Sequence, residues 1–154
     1  MLKPVTLTLL LLCAAVAMPT AENWPQWRGP ALNGISTEKN LPVRWSTTQN
    51  ITWKLALPSF SGSTPIVWGE RIFLNLAEGR DLYLWCVDRT QGTVLWKQLL
   101  GGGNAQRQKQ NMSSPSPVTD GTGVADVSFA GRSRSSGRGV VWTPPPPSRL
   151  TAAT

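Results

Sequence analysis

Apolar and polar residues alternate in short runs between residues 63 and 100, and Gly, Asp or Glu separates each run from the next. The runs are rich in Ile, Val, Leu, Phe, Tyr and Trp, a composition typical of strands bounded by turns. The pattern therefore predicts four consecutive β-strands, at residues 63–67, 71–76, 81–87 and 93–99.

The third predicted strand is apolar on both of its faces. Alternation places Leu82, Leu84 and Cys86 on one face, and Tyr83, Trp85 and Val87 on the other. A strand with two apolar faces has to be covered on both sides. A four-stranded antiparallel sheet of about 40 residues, packed between similar sheets, is typical of a β-propeller blade. The predicted fold is all-β: one full blade at residues 63–100 within an incomplete propeller.

Two segments of this region recur elsewhere in the chain. Residues 51–57 match residues 94–100, 43 positions later, around the shared Trp-Lys of Trp53 and Trp96. Residues 64–69 match residues 116–121, 52 positions later. A blade period of about 40–45 residues, lengthened once by a loop, accounts for both offsets.

These motifs resemble a known family. Asp88, Gly92 and Trp96 follow the D-x-x-x-G-x-x-x-W spacing of the pyrroloquinoline quinone (PQQ)-type propeller repeat, although Cys86 and Gln91 replace the usual Ala and Thr. Residues 23–30 (NWPQWRGP) and 33–36 (NGIS) are also similar to the amino-terminal signature of secreted bacterial PQQ-like repeat proteins. The resemblance covers residues 22–121.

The resemblance implies structural roles for four residues. Gly92 supplies the positive φ of a tight turn, and Asp88 binds backbone amides within that turn. Trp53 and Trp96 are then expected to lie flat against an adjoining blade. The repeat motif builds blades and does not itself bind the quinone.

The first residues have the features of a secretory leader. Lys3 gives the positive start, residues 7–16 form an apolar run, and Ala15-Val16-Ala17 is an A-x-A-type cleavage site. The predicted signal peptide is residues 1–17, with cleavage as late as residue 21 as an alternative. The apolar run is too short to span a bilayer. We therefore expect a periplasmic or extracellular protein without a membrane span after cleavage.

Residues 22–42 form a proline-containing lead-in in which a helix is not expected. Its Trp24 and Trp27 either bind a ligand or attach the segment to the domain surface, and the second interpretation is favoured. Residues 43–47 and 51–57 are predicted to form a hairpin-like pair. Pro65 and Pro117 each stand near the start of a strand, a position that suits an inner blade strand.

The repeat pattern is lost after Gly121. Residues 122–154 are rich in Gly, Ser, Arg and Pro and cannot build a core. Two explanations stay open, a natural basic tail and a translation out of frame, and the second is favoured. Much of the formal charge of +7 comes from Lys3 and this tail, so nucleic-acid binding is not expected of the folded part.

Little catalytic chemistry is available in this sequence. It contains no histidine, which excludes a Ser-His-Asp triad and the usual zinc ligands. Cys86 would be the only cysteine after leader cleavage, and a buried structural role is expected. The carboxylates of Glu70, Glu78, Asp81 and Asp88 fall in or beside turns, where solvated roles are the default.

Two functions are compatible with the resemblance. The first is an exported, non-catalytic propeller that acts as a scaffold for protein partners in the cell envelope. No cofactor is expected in that case, and this chain is predicted to be a truncated piece that does not function alone. The alternative is the amino-terminal piece of a quinoprotein dehydrogenase, which would use PQQ with Ca²⁺.

Overall fold

The computed structural model describes residues 21–105 and 111–125, and all regular structure there is β. No helix long and apolar enough for a membrane crossing occurs in these two ranges. The prediction of an all-β fold is confirmed. The strands are β1 (Ile66–Trp68), β2 (Arg71–Glu78), β3 (Asp81–Asp88), β4 (Val94–Gly102), β5 (Val118–Thr119) and β6 (Val124–Ala125).

The first four strands form one antiparallel sheet in the order β1-β2-β3-β4, as predicted. The turns between them fall at the Gly-containing breaks that separate the apolar runs. The pairing of β3 with β4 shifts register twice, opposite Leu82–Tyr83 and Cys86–Val87, as at β-bulges. The predicted strand positions are correct, and only their ends differ.

Both faces of β3 are buried, as its sequence predicts. Leu84 and Cys86 lie in one cluster with Ile66, Phe73 and Val124. Trp85 and Val87 lie in a second cluster with Leu74 and Leu76, on the opposite face. Residues that precede the sheet cover the second cluster, because Trp53 and Leu55 pack against it. Residues that follow the sheet cover the first, through Val124.

Strand ends differ from the prediction where other hydrogen bonds intervene. β1 begins at Ile66 instead of residue 63, because Ser63 and Thr64 donate their amides to serine hydroxyls. β4 continues through Gly101 and Gly102, which pair with Leu82 and Asp81.

The predicted hairpin of residues 43–47 and 51–57 is wrong. Neither segment forms a strand, and Val43 and Trp45 are 91% and 68% exposed. The two segments are joined by a local turn, in which Ser46 donates its amide to the carbonyl of Gln49, and by the Lys54 ammonium, which donates to the carbonyl of Thr47. Residues 51–57 instead contribute single side chains to the face of the main sheet.

A second, two-stranded sheet extends the ordered chain past Gly121. β5 and β6 pair antiparallel, with Val118 opposite Ala125 and Thr119 opposite Val124. Val124 is almost fully buried. The predicted low-complexity tail of residues 122–154 therefore starts too early, since its first four residues fold back on β5. The remaining residues, 126–154, and the predicted leader, 1–17, lie outside the described ranges.

Candidate functional site

The turn between β3 and β4 has the geometry that its sequence predicts. The Oδ1 of Asp88 accepts hydrogen bonds from the amides of Thr90, at 2.9 Å, and Gln91, at 2.7 Å. The carbonyl of Asp88 accepts the amide of Gly92 at 2.9 Å. Gly92 has a φ of +68°, a conformation that is costly for residues with a Cβ. Asp88 and Gly92 thus shape one compact turn.

Trp53 lies directly on this turn. Its indole Nε1 donates to the carbonyl of Arg89 at 2.8 Å. A Cβ built on Gly92 would lie 2.3 Å from the Trp53 ring, which is too close for any side chain. The turn therefore forms a seat for Trp53 that requires glycine both for its backbone angle and for its lack of a side chain.

Trp96 is not part of that seat. It packs on the other face of the sheet, with its ring centroid 6.0 Å from that of Phe73 and an interplanar angle of 48°. It contacts the cluster that contains Val124. The structure thus brings Asp88, Gly92 and Trp53 together. It places Trp96 apart from them, on the face of the main sheet that Val124 covers.

The sequence pattern did not predict a second seat of this kind, in which a tryptophan ring lies on a turn glycine. The ring of Trp68 lies over Gly121, where a built Cβ would be 2.3 Å from it. Gly121 has a φ of +90°. The neighbouring turn is held by Asp120, whose Oδ1 accepts the Thr122 hydroxyl at 2.7 Å. This hydrogen bond is the main reason that the pKa of Asp120 lies below its usual value. The sequence did contain one signal for this contact, because Gly121 matches Gly69 in the recurring segment.

Hydrogen bonds between polar residues join the segments on either side of the main sheet. We call Ser61, Thr64, Asn111, Ser113 and Ser116 the polar seam. The Oγ of Ser61 donates to the carbonyl of Ser113 at 2.8 Å, and the amide of Thr64 donates to the Oγ of Ser116 at 2.9 Å. Each pair is separated by 52 residues, the offset of the sequence recurrence. The sequence analysis did not predict the seam, although hydroxyl residues stand at equivalent positions, Ser61 with Ser113 and Thr64 with Ser116.

Asn111 is the most connected side chain of the polar seam. Its Nδ2 donates to the carbonyl of Phe60 at 2.7 Å. Its Oδ1 accepts the amide of Ser113 at 3.1 Å and the hydroxyl of Ser113 at 2.6 Å. Both residues are buried, with exposures of 9% and 0%.

An ion pair joins two charged side chains at the surface of the main sheet. Lys97 forms an ion pair with Glu78, with 2.6 Å between Nζ and Oε1. Its Nζ also lies 4.0 Å from the centre of the Trp85 ring, a cation–π distance. This pair links β4 to the end of β2 across β3.

Few reactive side chains come together in the described ranges. Cys86 is buried, as expected, and desolvation raises its pKa to about 11. Within residues 21–105 and 111–125, no three His, Cys, Asp or Glu side chains come together as metal ligands would. What the arrangement does provide is packing of aromatic rings on turns.

Comparison with known proteins gives no relative: no family model, no curated protein and no solved structure matches this chain.

Proposed function

We propose that this chain is part of an exported β-propeller of the PQQ-like repeat type, which serves as a non-catalytic scaffold for protein partners in the cell envelope. In this proposal the main sheet is one blade, and the chain does not function alone. Export to the periplasm or beyond rests on the leader features of residues 1–17, and the family on the repeat motif and the 23–30 signature.

The contact of Trp53 with the Asp88–Gly92 turn carries the proposal. Trp53 belongs to residues 51–57, the first copy of the recurring segment, whereas the turn belongs to the sheet whose β4 contains the second copy. The contact therefore joins successive copies of the same motif. Units that each supply a tryptophan to the next unit can be stacked repeatedly, which is how repeat proteins build a continuous core.

The polar seam supports the same arrangement. Thr64 and Ser116 are equivalent positions in the two copies, and Ser61 and Ser113 precede the copies at the same offset of 52 residues. Each pair is joined by a hydrogen bond. Equivalent residues of neighbouring units meet when the units are related by rotation about a nearby axis. The prolines that precede β1 and β5 suit inner strands close to such an axis.

The surface of the described residues suits a role in binding other proteins. Large apolar side chains are exposed on β4, at Leu95 and Leu99, and on the lead-in, at Trp27 and Ile35. Exposed apolar side chains are used either by neighbouring blades or by partner proteins. In this proposal, some of these side chains contact neighbouring blades and others contact partner proteins.

The quinoprotein alternative requires a site for Ca²⁺ and the quinone. Within residues 21–105 and 111–125, no three His, Cys, Asp or Glu side chains converge, so under this alternative the site lies outside these ranges. The discriminating experiment is a titration of the full-length gene product with PQQ in the presence of Ca²⁺, followed by absorbance. We expect no saturable spectral change. The same titration of the chain unfolded in urea controls for nonspecific adsorption.

A saturable one-to-one change that the unfolded chain does not show would overturn the non-catalytic assignment. It would leave the blade arrangement untouched, because blade packing depends on the tryptophan seats and not on the quinone.

A further inference from the structure

The start of the lead-in pairs with one edge of each of the two sheets. The amide of Trp24 donates to the carbonyl of Val67 at 2.8 Å, and the amide of Val67 donates back at 2.9 Å. The next residue, Pro25, accepts the amide of Thr119 at 2.9 Å. Two consecutive residues thus bond to β1 of the main sheet and to β5 of the second sheet.

Val67 and Thr119 are equivalent positions in the two copies of the recurring segment. Each would present its amide at a sheet edge if the lead-in were absent. An unpaired edge adds strands from other molecules, and extended peptides bind to such edges mainly through backbone hydrogen bonds. The edges of β1 and β5 together therefore have the character of a strand-addition site.

The bound segment is anchored by one side chain. The half-buried ring of Trp24 packs against Gly29, where a built Cβ would lie 2.7 Å from it. The amide of Gly29 donates to the carbonyl of Gln26 at 2.9 Å, which turns the segment back over the ring. Asn23 adds a bond outside this turn, because its Oδ1 accepts the amide of Gly69 at 2.7 Å. Trp27 is 66% exposed and takes no part.

We propose that residues 23–29 form a clasp, an internal peptide ligand that occupies the strand-addition site of β1 and β5 and prevents a second copy of this chain from pairing there. Release of the clasp opens both edges at once, because Trp24 and Pro25 are consecutive. The inference depends on the observed hydrogen bonds and not on the propeller assignment.

The test compares two tryptophan variants of the full chain, Trp24→Ala and the control Trp27→Ala. Residue-resolved hydrogen exchange is followed at Val67 and Thr119, with Leu84 of the central strand as an internal reference. In Trp24→Ala we expect exchange at both edge amides to accelerate by about tenfold or more, as local opening does. Light scattering should show larger species for Trp24→Ala. The control should match the unaltered chain in both measurements.

A synthetic peptide of residues 21–30 provides the second arm. Added to the Trp24→Ala chain, it should restore slow exchange at Val67 and Thr119 and reduce the larger species. The same peptide with Trp24→Ala should not. Unchanged exchange at the two edge amides would overturn the clasp. So would faster exchange at Leu84 that the peptide fails to reverse, because Trp24 would then be an ordinary core residue.

Discussion

Two structural requirements coincide at Gly92, and only a glycine satisfies both. Its φ of +68° lies in the left-handed region, and the ring of Trp53 occupies the space of a side chain. Gly79, in the turn before β3, shares the first requirement with a φ of +60° but has nothing within 4 Å of a built Cβ. Substitution of Gly79 therefore measures the cost of backbone strain alone, whereas substitution of Gly92 also displaces the Trp53 ring.

We predict that Gly79→Ala lowers the free energy of unfolding by about 1–2 kcal/mol, the cost of a left-handed residue with a Cβ. Gly92→Ala should cost about 1–3 kcal/mol more, the range for overpacking, because Trp53 has to leave its seat. Urea unfolding followed by tryptophan fluorescence measures both values.

The Trp53→Ala background is the control for this assignment. There the two glycine substitutions should have equal costs, since the ring that Gly92 accommodates is gone. If the excess cost of Gly92→Ala persists in that background, the seat is not its cause.

Among whole elements, the polar seam is held by side chains rather than by a strand ladder. Asn111 alone makes three side-chain hydrogen bonds, to Phe60 and twice to Ser113. Removing one partner of a buried hydrogen bond leaves the other unsatisfied, at a cost of about 1–3 kcal/mol. The seam thus fixes the start of β5 relative to the residues before β1.

We predict that Asn111→Ala lowers the free energy of unfolding by about 2–3 kcal/mol, because several buried groups lose their partner together. Asn33→Ala is the matched control. Its side chain is exposed and accepts one amide, that of Ile35, at 2.9 Å, so its loss should cost well under 1 kcal/mol. Urea melts of both variants give the comparison. Equal costs would show that the seam does not hold the two segments together.

The elements that the sequence predicts best are those with local signals. Apolar alternation and the turn glycines place β2 and β3 to within two residues at each end. β1 is shorter than predicted because the hydroxyls of Ser61 and Ser116 take up amides that a strand would have used. The Ser61 hydroxyl is only two residues from Ser63, but the Ser116 hydroxyl is 52 residues from Thr64, so no local pattern reveals that second competition.

The candidate site also combines local features, which the sequence predicts, with long-range contacts, which it does not. The Asp88–Gly92 turn is local, and its hydrogen bonds follow from the residue types. The seat of Trp68 on Gly121 and the pairing of Val124 depend on contacts between sheets. Composition alone assigned Val124 to a low-complexity tail, because a two-residue strand is too short to produce a periodic signal.

At the scale of the whole molecule, one buried cluster unites the two sheets. Ile66, Phe73 and Leu84 come from the main sheet, and Val124 comes from β6. Cys86 lies among them with no measurable exposure. Its thiol can be reached only when the sheets separate, so Cys86 reports on the opening of the entire described structure.

We predict that Cys86 does not react with a thiol reagent at pH 8 in the folded chain. Burial blocks access, and a pKa raised to about 11 keeps the thiol protonated, whereas the thiolate is the reactive form. The measurement uses a Cys13→Ala chain, in which Cys86 is the only thiol. Labelling should rise with urea at the same midpoint as the loss of tryptophan fluorescence. Rapid labelling without urea, or a labelling midpoint well below the fluorescence midpoint, would show that the two sheets separate before the molecule unfolds and that this cluster does not unite them.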